Sequence, residues 1–179
     1  HGDWIMHGPG TVGEHNDTAY NVAISADGQR LVVSNYYISG TKTSELNDAL
    51  YAQAFNFVHE EQRWVPMGKN MHAHAPGEKS GYFITLSDDG NVIGMGDPGR
   101  SVNGGKISGH AHIYMYNREK DEWEDPLGED IDGKNAGDMF GYQVSISGNA
   151  RHVVIGAPLS RGNGFEHGRV QVYEVPDRI

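Results

Sequence analysis

One stretch of the chain occurs three times, and this repetition limits the folds that are open to it. The clearest copy, residues 137–173, reads GDMFGYQVSISGNARHVVIGAPLSRGNGFEHGRVQVY. It holds three apolar runs of alternating pattern, separated by turn residues, which is typical of β-strands. A second copy reads GEKSGYFITLSDDGNVIGMGDPGRSVNGGKISGHAHIY, and a more diverged third reads HNDTAYNVAISADGQRLVVSNYY with a later YAQAFNF. We therefore expect three copies of one β meander.

The tryptophans set the length of the repeat. Trp4, Trp64 and Trp123 are the only ones in the chain, and they are 60 and 59 residues apart. A period of this length with several strands per unit indicates propeller blades rather than solenoid coils. The sequence thus predicts an all-β fold class: β-propeller blades in a single array over residues 1–179, with each repeat a four-stranded antiparallel sheet. The three tandem repeats cover about 4–63, 64–122 and 123–179.

The third repeat resembles a known family. Its FGYQVSIS followed by VVIGAP is similar to the FG-GAP repeat of integrin-alpha-like β-propellers and of many secreted microbial proteins. The second repeat has SGY and GDP at these places, and the first has TAY and SNY. The resemblance implies a non-enzymatic binding or cell-adhesion module, extracellular or lumenal, that recognises protein or glycan.

Repeats of this family often carry a calcium loop between the two motifs. The corresponding connections here are SADGQ, SDDGN and SGNAR. These short turns offer too few oxygen atoms for calcium, which takes roughly six to eight ligands. We therefore expect no cation in them.

The strands can be placed by aligning the repeats. Outer strands are expected at Trp4–Met6, Trp64–Met67 and Trp123–Leu127, and inner strands at Ala19–Ser25, Tyr82–Leu86 and Phe140–Ser147. The segment Ser44–Leu50 is ambiguous, because its good helix formers favour a short helical turn before the strand that starts at Tyr51.

Composition excludes two classes of partner. The formal net charge of −10 does not provide the basic footprint that nucleic-acid binding requires. No run reaches the roughly 20 apolar residues of a membrane span. The absence of cysteine removes disulfides and Cys-type zinc sites.

Loop length predicts a ligand face. In each repeat the connections from outer to inner strand and from second to third strand are long and polar, and in an up-and-down blade both lie on the same side. Functional residues concentrate on such loops above a rigid scaffold. The ligand-face candidates are His72, His74, Glu78, Asp97, Arg100, Asn103, Arg161, Asn163, Glu166 and His167.

Acidic residues gather in one of these loops, GEDIDGKNAGD. Asp130, Asp132 and Asp138, with Glu129 beside them, could supply carboxylates to a hard cation, so calcium is the cofactor that the sequence suggests. The alternative is a solvated acidic loop in which Asp138 caps backbone N–H groups of its own turn.

Two His-Ala-His triplets place His72 with His74 and His110 with His112. Residues two apart in a strand face the same side, so each pair could chelate zinc or copper. Polar residues at equivalent places of the other repeats, such as Gln171 and Gln53 for His112, instead favour an ordinary solvent-facing strand.

The alternative functions follow from these clusters. The first is a metal-dependent enzyme or metal-binding protein that uses the His and acidic loops, and the second is a structural subunit of a larger assembly. No phosphate-binding loop or nucleophile elbow is present, so the sequence predicts no catalytic residue.

The repeat also predicts association. Trp64 and Trp123 each follow an aromatic residue, Phe55 or Tyr114, by nine residues, so a tryptophan is expected nine residues after Tyr173, beyond Ile179. Joining the end of the chain to its start would place Trp4 ten residues after Tyr173. An unpaired edge strand recruits another chain. We therefore expect self-association or a place in a longer repeat array.

Overall fold

The computed structural model describes residues 3–10, 17–37, 51–72, 81–99, 101–102, 106–125, 131–161 and 167–175. All regular secondary structure within these ranges is β-strand, and no helix in them could cross a membrane. The predicted helical turn at Ser44–Leu50 lies outside the described residues. The fifteen strands are β1 Asp17–Ile24, β2 Arg30–Tyr37, β3 Tyr51–Val58, β4 Arg63–Pro66, β5 Met71–His72, β6 Phe83–Leu86, β7 Val92–Asp97, β8 Ser101–Val102, β9 Lys106–Ile107, β10 His110–Asn117, β11 Glu122–Glu124, β12 Ile131–Asp132, β13 Gln143–Ile146, β14 His152–Ala157 and β15 Arg169–Glu174.

The strands form three antiparallel meanders. The first sheet has the order β1-β2-β3-β4, the second β6-β7-β10-β11 and the third β13-β14-β15. Strands β5 and β12 extend the first two sheets, and β8 and β9 form a separate small hairpin. The predicted all-β fold class of propeller-type sheets is confirmed, and the stack is open rather than closed into a ring.

The fourth strand of a sheet comes from the segment that opens the next sequence repeat. Trp64 in β4 pairs with Phe57 in β3, and Trp123 in β11 pairs with Tyr116 in β10. The sheets therefore begin and end one strand later than the sequence repeats.

The inner strands lie side by side along one edge of the stack. Ala26 N donates to Asp88 O and Asp88 N donates to Gly148 O, both at 3.0 Å, so the three inner turns form one hydrogen-bonded series. Tyr20, Tyr82 and Tyr142 form a second series across the sheets, with ring centroids 5.5 and 5.7 Å apart and neighbouring rings tilted by 46°. Each sheet is thereby linked to the next.

The turns after the inner strands share one construction. Ser25 Oγ donates to Asp27 Oδ1 at 2.6 Å, and the same carboxylate accepts from Gln29 N at 2.9 Å. The bond from Ser25 is the main reason that the pKa of the Asp27 carboxyl is lowered. The equivalent pairs are Ser87 with Asp89 and Ser147 with Asn149. These side chains shape the turns.

Two apolar layers separate the three sheets. The layer between the first and second sheets includes Val32, Ile93 and Met95, and the layer between the second and third includes Ile113 and Ile155. Trp123 packs against the first layer and donates from Nε1 to Met67 O of the preceding sheet at 2.9 Å. Trp123 thus fills part of the gap between the first and second sheets.

Glycines allow the backbones of adjacent sheets to touch. A Cβ added to Gly96 would lie 2.0 Å from Gly141 O, and one added to Gly141 would lie 2.0 Å from His110 O. Gly141 also has a φ of +81°, which disfavours any residue with a side chain. These glycines therefore have a structural role at the contact between sheets.

The predicted outer strand at Trp4–Met6 does not form within this chain. Residues 3–7 have no strand partner among the described residues, and Trp4 is fully exposed. A strand needs a neighbour for its backbone groups, and the first sheet already ends in β4 on one side and the inner strand β1 on the other. The residue that follows is anchored to the first sheet, because the His7 ring lies 3.9 Å from the Phe57 ring, measured between centroids.

Replacing Gly141 should test the contact between sheets. We expect Gly141→Ala to lower the free energy of unfolding by roughly 3 kcal/mol or more, because it adds overpacking to backbone strain. Gly28→Ala is the matched control: its φ is +70° but no atom lies within 4 Å of an added Cβ, so it should lose only about 1 kcal/mol. Urea unfolding measures both. Equal losses would contradict the steric explanation.

Candidate functional site

The long connections of the second and third sheets contact one another at one end of the stack. Gly133 N donates to Gly109 O at 2.8 Å, and Phe140 N donates to Ser108 O at 3.0 Å. Leu159 N donates to Asp138 O at 3.3 Å. These bonds join three of the long connections on which the ligand face is predicted. We call residues 106–109, 131–138, 158–161 and 167 the loop platform.

The surface of the loop platform is polar and carries both charges. The exposed polar side chains are Asp132, Lys134, Asn135, Arg161 and His167. Ile107 adds an apolar group that is half exposed. The platform thus offers hydrogen-bond donors and acceptors together, and the structure brings Arg161 and His167 of the predicted ligand face onto it.

Asp97, another predicted ligand-face residue, is buried and does not reach the exposed surface of the loop platform. Its side chain is fully buried, and Oδ1 accepts a hydrogen bond from Gly99 N at 3.1 Å. It pairs across the sheet with His110. Asp97 therefore shapes the base of its loop.

The other predicted contacts fall outside the described side chains. His72 is described only as backbone, where it pairs with Tyr51 in the same way that Asp132 pairs with His110 one sheet later. His74, Glu78, Arg100, Asn103, Asn163, Glu166 and the metal candidate Asp130 lie outside the described residues.

Asp132 and Asp138 occupy different environments. Asp132 is exposed, whereas Asp138 is 4% exposed and its Oδ2 accepts from Asn135 Nδ2 at 3.2 Å and Ser160 Oγ at 3.3 Å. Within the described ranges, no group of three or more His, Asp or Glu side chains is arranged to hold a metal ion. Asp138 therefore links Asn135 of its own loop to Ser160 of the third sheet through side-chain bonds, whereas the sequence analysis expected bonds to backbone N–H groups of its own turn.

The interpretation of His110 and His112 as solvent-facing residues is wrong. Their side chains are 0% and 1% exposed, and their Nε2 atoms lie 2.5 Å apart. The even-numbered side chains of β10 face the first sheet, together with Tyr114 in the apolar layer. The equivalence of His112 to the polar residue Gln171 did not indicate this burial. Whether a strand residue is buried depends on which sheet lies beside the strand.

A cleft of about 380 Å³ lies at the opposite end of the stack, between the first two sheets. Three of its polar side chains are hydrogen-bonded within the protein. Arg30 donates to Asp89 O and to Asn91 Oδ1, and Asp121 accepts from the Tyr116 hydroxyl. Burial, followed by the bond to Asp121, raises the pKa of the Tyr116 phenol. The sequence analysis did not single out these residues, because no motif or repeat position marks them.

Replacing Asp138 should separate a structural role from a metal role. We expect Asp138→Ala to lower the free energy of unfolding by about 1–3 kcal/mol, because buried donors lose their acceptor. Asp132→Ala is the matched control and should change it by less than about 0.5 kcal/mol. Urea unfolding should give the same losses with calcium and with a chelator. A loss for Asp138→Ala that appears only in calcium would instead indicate a calcium ligand.

Comparison with known proteins identifies part of the chain. Residues 132–173 match the family described as the FG-GAP repeat. No curated protein sequence matches the chain.

The chain was matched to two solved structures. The chain is 13% identical to PpgL, a periplasmic gluconolactonase of Pseudomonas aeruginosa, with a TM-score of 0.51 over 87% of this chain and 39% of that one. It is 10% identical to Sqt1 of Saccharomyces cerevisiae, with a TM-score of 0.47 over 91% of this chain and 36% of that one. The chain spans under two fifths of the length of each protein. The likeness to PpgL at this identity supports the fold alone.

The predicted resemblance is confirmed: the chain contains an FG-GAP repeat, in a stack of β-propeller-type sheets.

Proposed function

We propose that this chain is a recognition module that binds a protein or glycan through its loop platform, outside the cell or in a lumenal compartment. The observation that carries the proposal is that exposed polar side chains sit on loops tied to one another across sheets. Lys134, Asn135 and Arg161 are exposed, while the backbone beneath them is held at Gly133, Asp138 and Leu159. The FG-GAP match supports the same class of function.

Backbone hydrogen bonds favour binding because they reduce the cost of ordering the loops. A loop that is already held loses less conformational entropy when a partner binds. The bond from Gly137 N to Ile107 O adds a further link, at 2.5 Å, between the two halves of the platform. The platform is therefore better suited to recognition than a free loop of the same sequence.

The chemistry of the platform suits a polar partner. Arg161 and Lys134 can donate to carboxylate or hydroxyl oxygens, while Asp132 can accept from hydroxyl or amide groups. Such paired donors and acceptors fit a sugar or a peptide loop.

A binding screen with matched variants tests the proposal. The chain would be screened against immobilised glycans and extracellular proteins, and Arg161→Ala and Lys134→Ala would be measured against each hit. We expect each variant to weaken binding by about tenfold, as for a polar interface contact of roughly 1.4 kcal/mol. Arg63→Ala, an exposed arginine at the opposite end of the stack, is the control and should bind normally. Hits that depend on Arg63 and not on Arg161 would place recognition elsewhere.

Transition-metal binding is a second candidate, favoured by the buried pair of His110 and His112. Two imidazole nitrogens 2.5 Å apart repel each other unless a proton or a cation lies between them. Zinc would widen the pair, since each Zn–N bond is about 2.0–2.1 Å long. The described residues supply these two ligands and no third.

Zinc titration calorimetry tests this candidate directly. His112→Gln should abolish the binding heat of one ion, and glutamine suits the test because Gln171 and Gln53 occupy the equivalent positions. His167→Gln, an exposed histidine, is the control and should leave that heat unchanged. Absence of a zinc heat in the unaltered chain would reject a metal function at this pair. A parallel screen for hydrolase activity would separate an enzyme from a binding module.

A further inference from the structure

The cleft between the first two sheets contains polar side chains at positions that are apolar one sheet later. Arg30 in β2 pairs with Asn56 in β3. The equivalent pair in the second sheet is Val92 with Met115, which are 2% and 9% exposed and belong to the apolar layer between the second and third sheets. A charge and an amide at such a position give up apolar burial that the repeat otherwise gains. The first two sheets are therefore separated at this place by a cleft rather than by packed apolar side chains.

Both walls of the cleft belong to neighbouring sheets of this chain. The first sheet supplies Arg30 and Asn56 together with the apolar side chains of Val58, Val65, Pro66 and Met67. The second sheet supplies Tyr116, Arg118 and Asp121, from β10 and the turn that follows it. The volume of about 380 Å³ lies within the roughly 300–1,000 Å³ of small-molecule sites. The cleft thus combines an apolar surface with a cationic group on each wall.

The Arg30 side chain is held in place by the second sheet. Its Nη1 donates to Asp89 O at 2.9 Å and to Asn91 Oδ1 at 2.5 Å. Its Cδ lies 2.6 Å from the place that a Cβ on Gly90 would occupy, so the stem of the side chain rests against a glycine. A side chain that is already oriented loses less conformational entropy when a ligand binds. Arg30 is therefore prepared for binding.

Both arginines keep hydrogen-bond donors for a ligand. A guanidinium group has five N–H donors. The bonds of the Arg30 guanidinium to described residues all leave from Nη1. Arg118 is exposed, and its side chain has no hydrogen bond or ion pair with any described residue. The remaining donors are available to an anion in the cleft.

The cleft is cationic although the protein is acidic. Its lining carries two guanidinium groups and one carboxylate, whereas the formal net charge of the chain is −10. The Asp121 carboxylate already accepts from the Tyr116 hydroxyl at 2.5 Å and from Gly68 N at 3.1 Å. Burial, followed by the bond to Asp121, raises the pKa of the Tyr116 phenol, while the charges of Arg30 and Arg118 lower it. Both positive charges therefore act on the same part of the cleft.

We propose that this cleft binds a small organic carboxylate. Arg30 and Arg118 hold the carboxylate, since a guanidinium group presents paired N–H donors that match its two oxygens. The body of the molecule lies against the apolar side chains of Val58, Val65 and Met67. An uncharged molecule of the same shape lacks the anion that the arginines recognise. The site lies at the opposite end of the stack from the loop platform, so the proposal is independent of what that platform binds.

An NMR titration of the ¹⁵N-labelled full chain with phenylacetate tests the proposal. We expect saturable shift changes at the amides of residues 56–58 and 116–121, with a dissociation constant of about 1 mM, as suits a ligand of about ten non-hydrogen atoms. Phenylacetamide has the same shape without the charge and should bind about tenfold more weakly or worse. Acetate has the carboxylate without the apolar body and should also bind about tenfold more weakly or worse.

Two results of the titration would contradict the proposal. Equal affinities for phenylacetate and phenylacetamide would show that the arginines do not recognise the ligand. Absence of a saturable shift with phenylacetate up to about 20 mM, twentyfold above the expected dissociation constant, would overturn the site.

Matched variants assign the binding to the cleft. Arg118→Gln changes an exposed side chain and should raise the dissociation constant for phenylacetate by about tenfold. Arg151→Gln removes an exposed arginine from a turn of the third sheet, with the same change of charge, and should leave that constant unchanged. Arg30→Val introduces the residue type of its equivalent, Val92, and should abolish binding while urea unfolding remains a single transition. Equal losses in Arg118→Gln and Arg151→Gln, or normal binding in Arg30→Val, would reject the cleft as the site.

Discussion

The structure depends on how closely its sheets approach one another. At Gly96 and Gly141 the backbones of the second and third sheets touch, with no space for a side chain between them. This contact sets the separation that the apolar layer must fill, and medium-sized side chains such as Val144 and Ile155 fill it. A larger spacing would leave voids, which well-packed protein interiors do not tolerate. The glycines of the repeat therefore determine the stacking of the sheets as well as their turns.

The close spacing of the sheets brings different structures together on the two sides where the strands begin and end. At one end, short turns with a Ser–Asp or Ser–Asn hydrogen bond close each sheet. At the other end, long connections of adjacent sheets come close enough for backbone bonds such as Gly133 N to Gly109 O. In a scaffold of this kind the exposed side chains of the loop platform lie outside the contacts between the sheets. The gluconolactonase PpgL has a related fold, and fold similarity at this level leaves function to be decided by the site.

The outer faces of the first and third sheets differ from each other. Each has side chains whose counterparts in other sheets are buried in a contact between sheets. Exposed Val22 and Val172 have buried counterparts one sheet away. Apolar patches of this kind mark interaction surfaces in soluble proteins.

The sequence by itself determined the repeat, the all-β class, most strand positions and the residues of the turns. These are local properties: alternation of side chains follows from strand geometry, and Asp27 or Gly28 acts within its own turn. Tertiary structure alone decided the burial of Asp97, His110 and His112, and the separation of exposed Asp132 from buried Asp138. It also decided that Trp4–Met6 has no strand partner among the described residues. Whether a strand face is buried, and whether an outer strand forms, depends on which sheet lies beside it, and alternation along one strand carries no information about that neighbour.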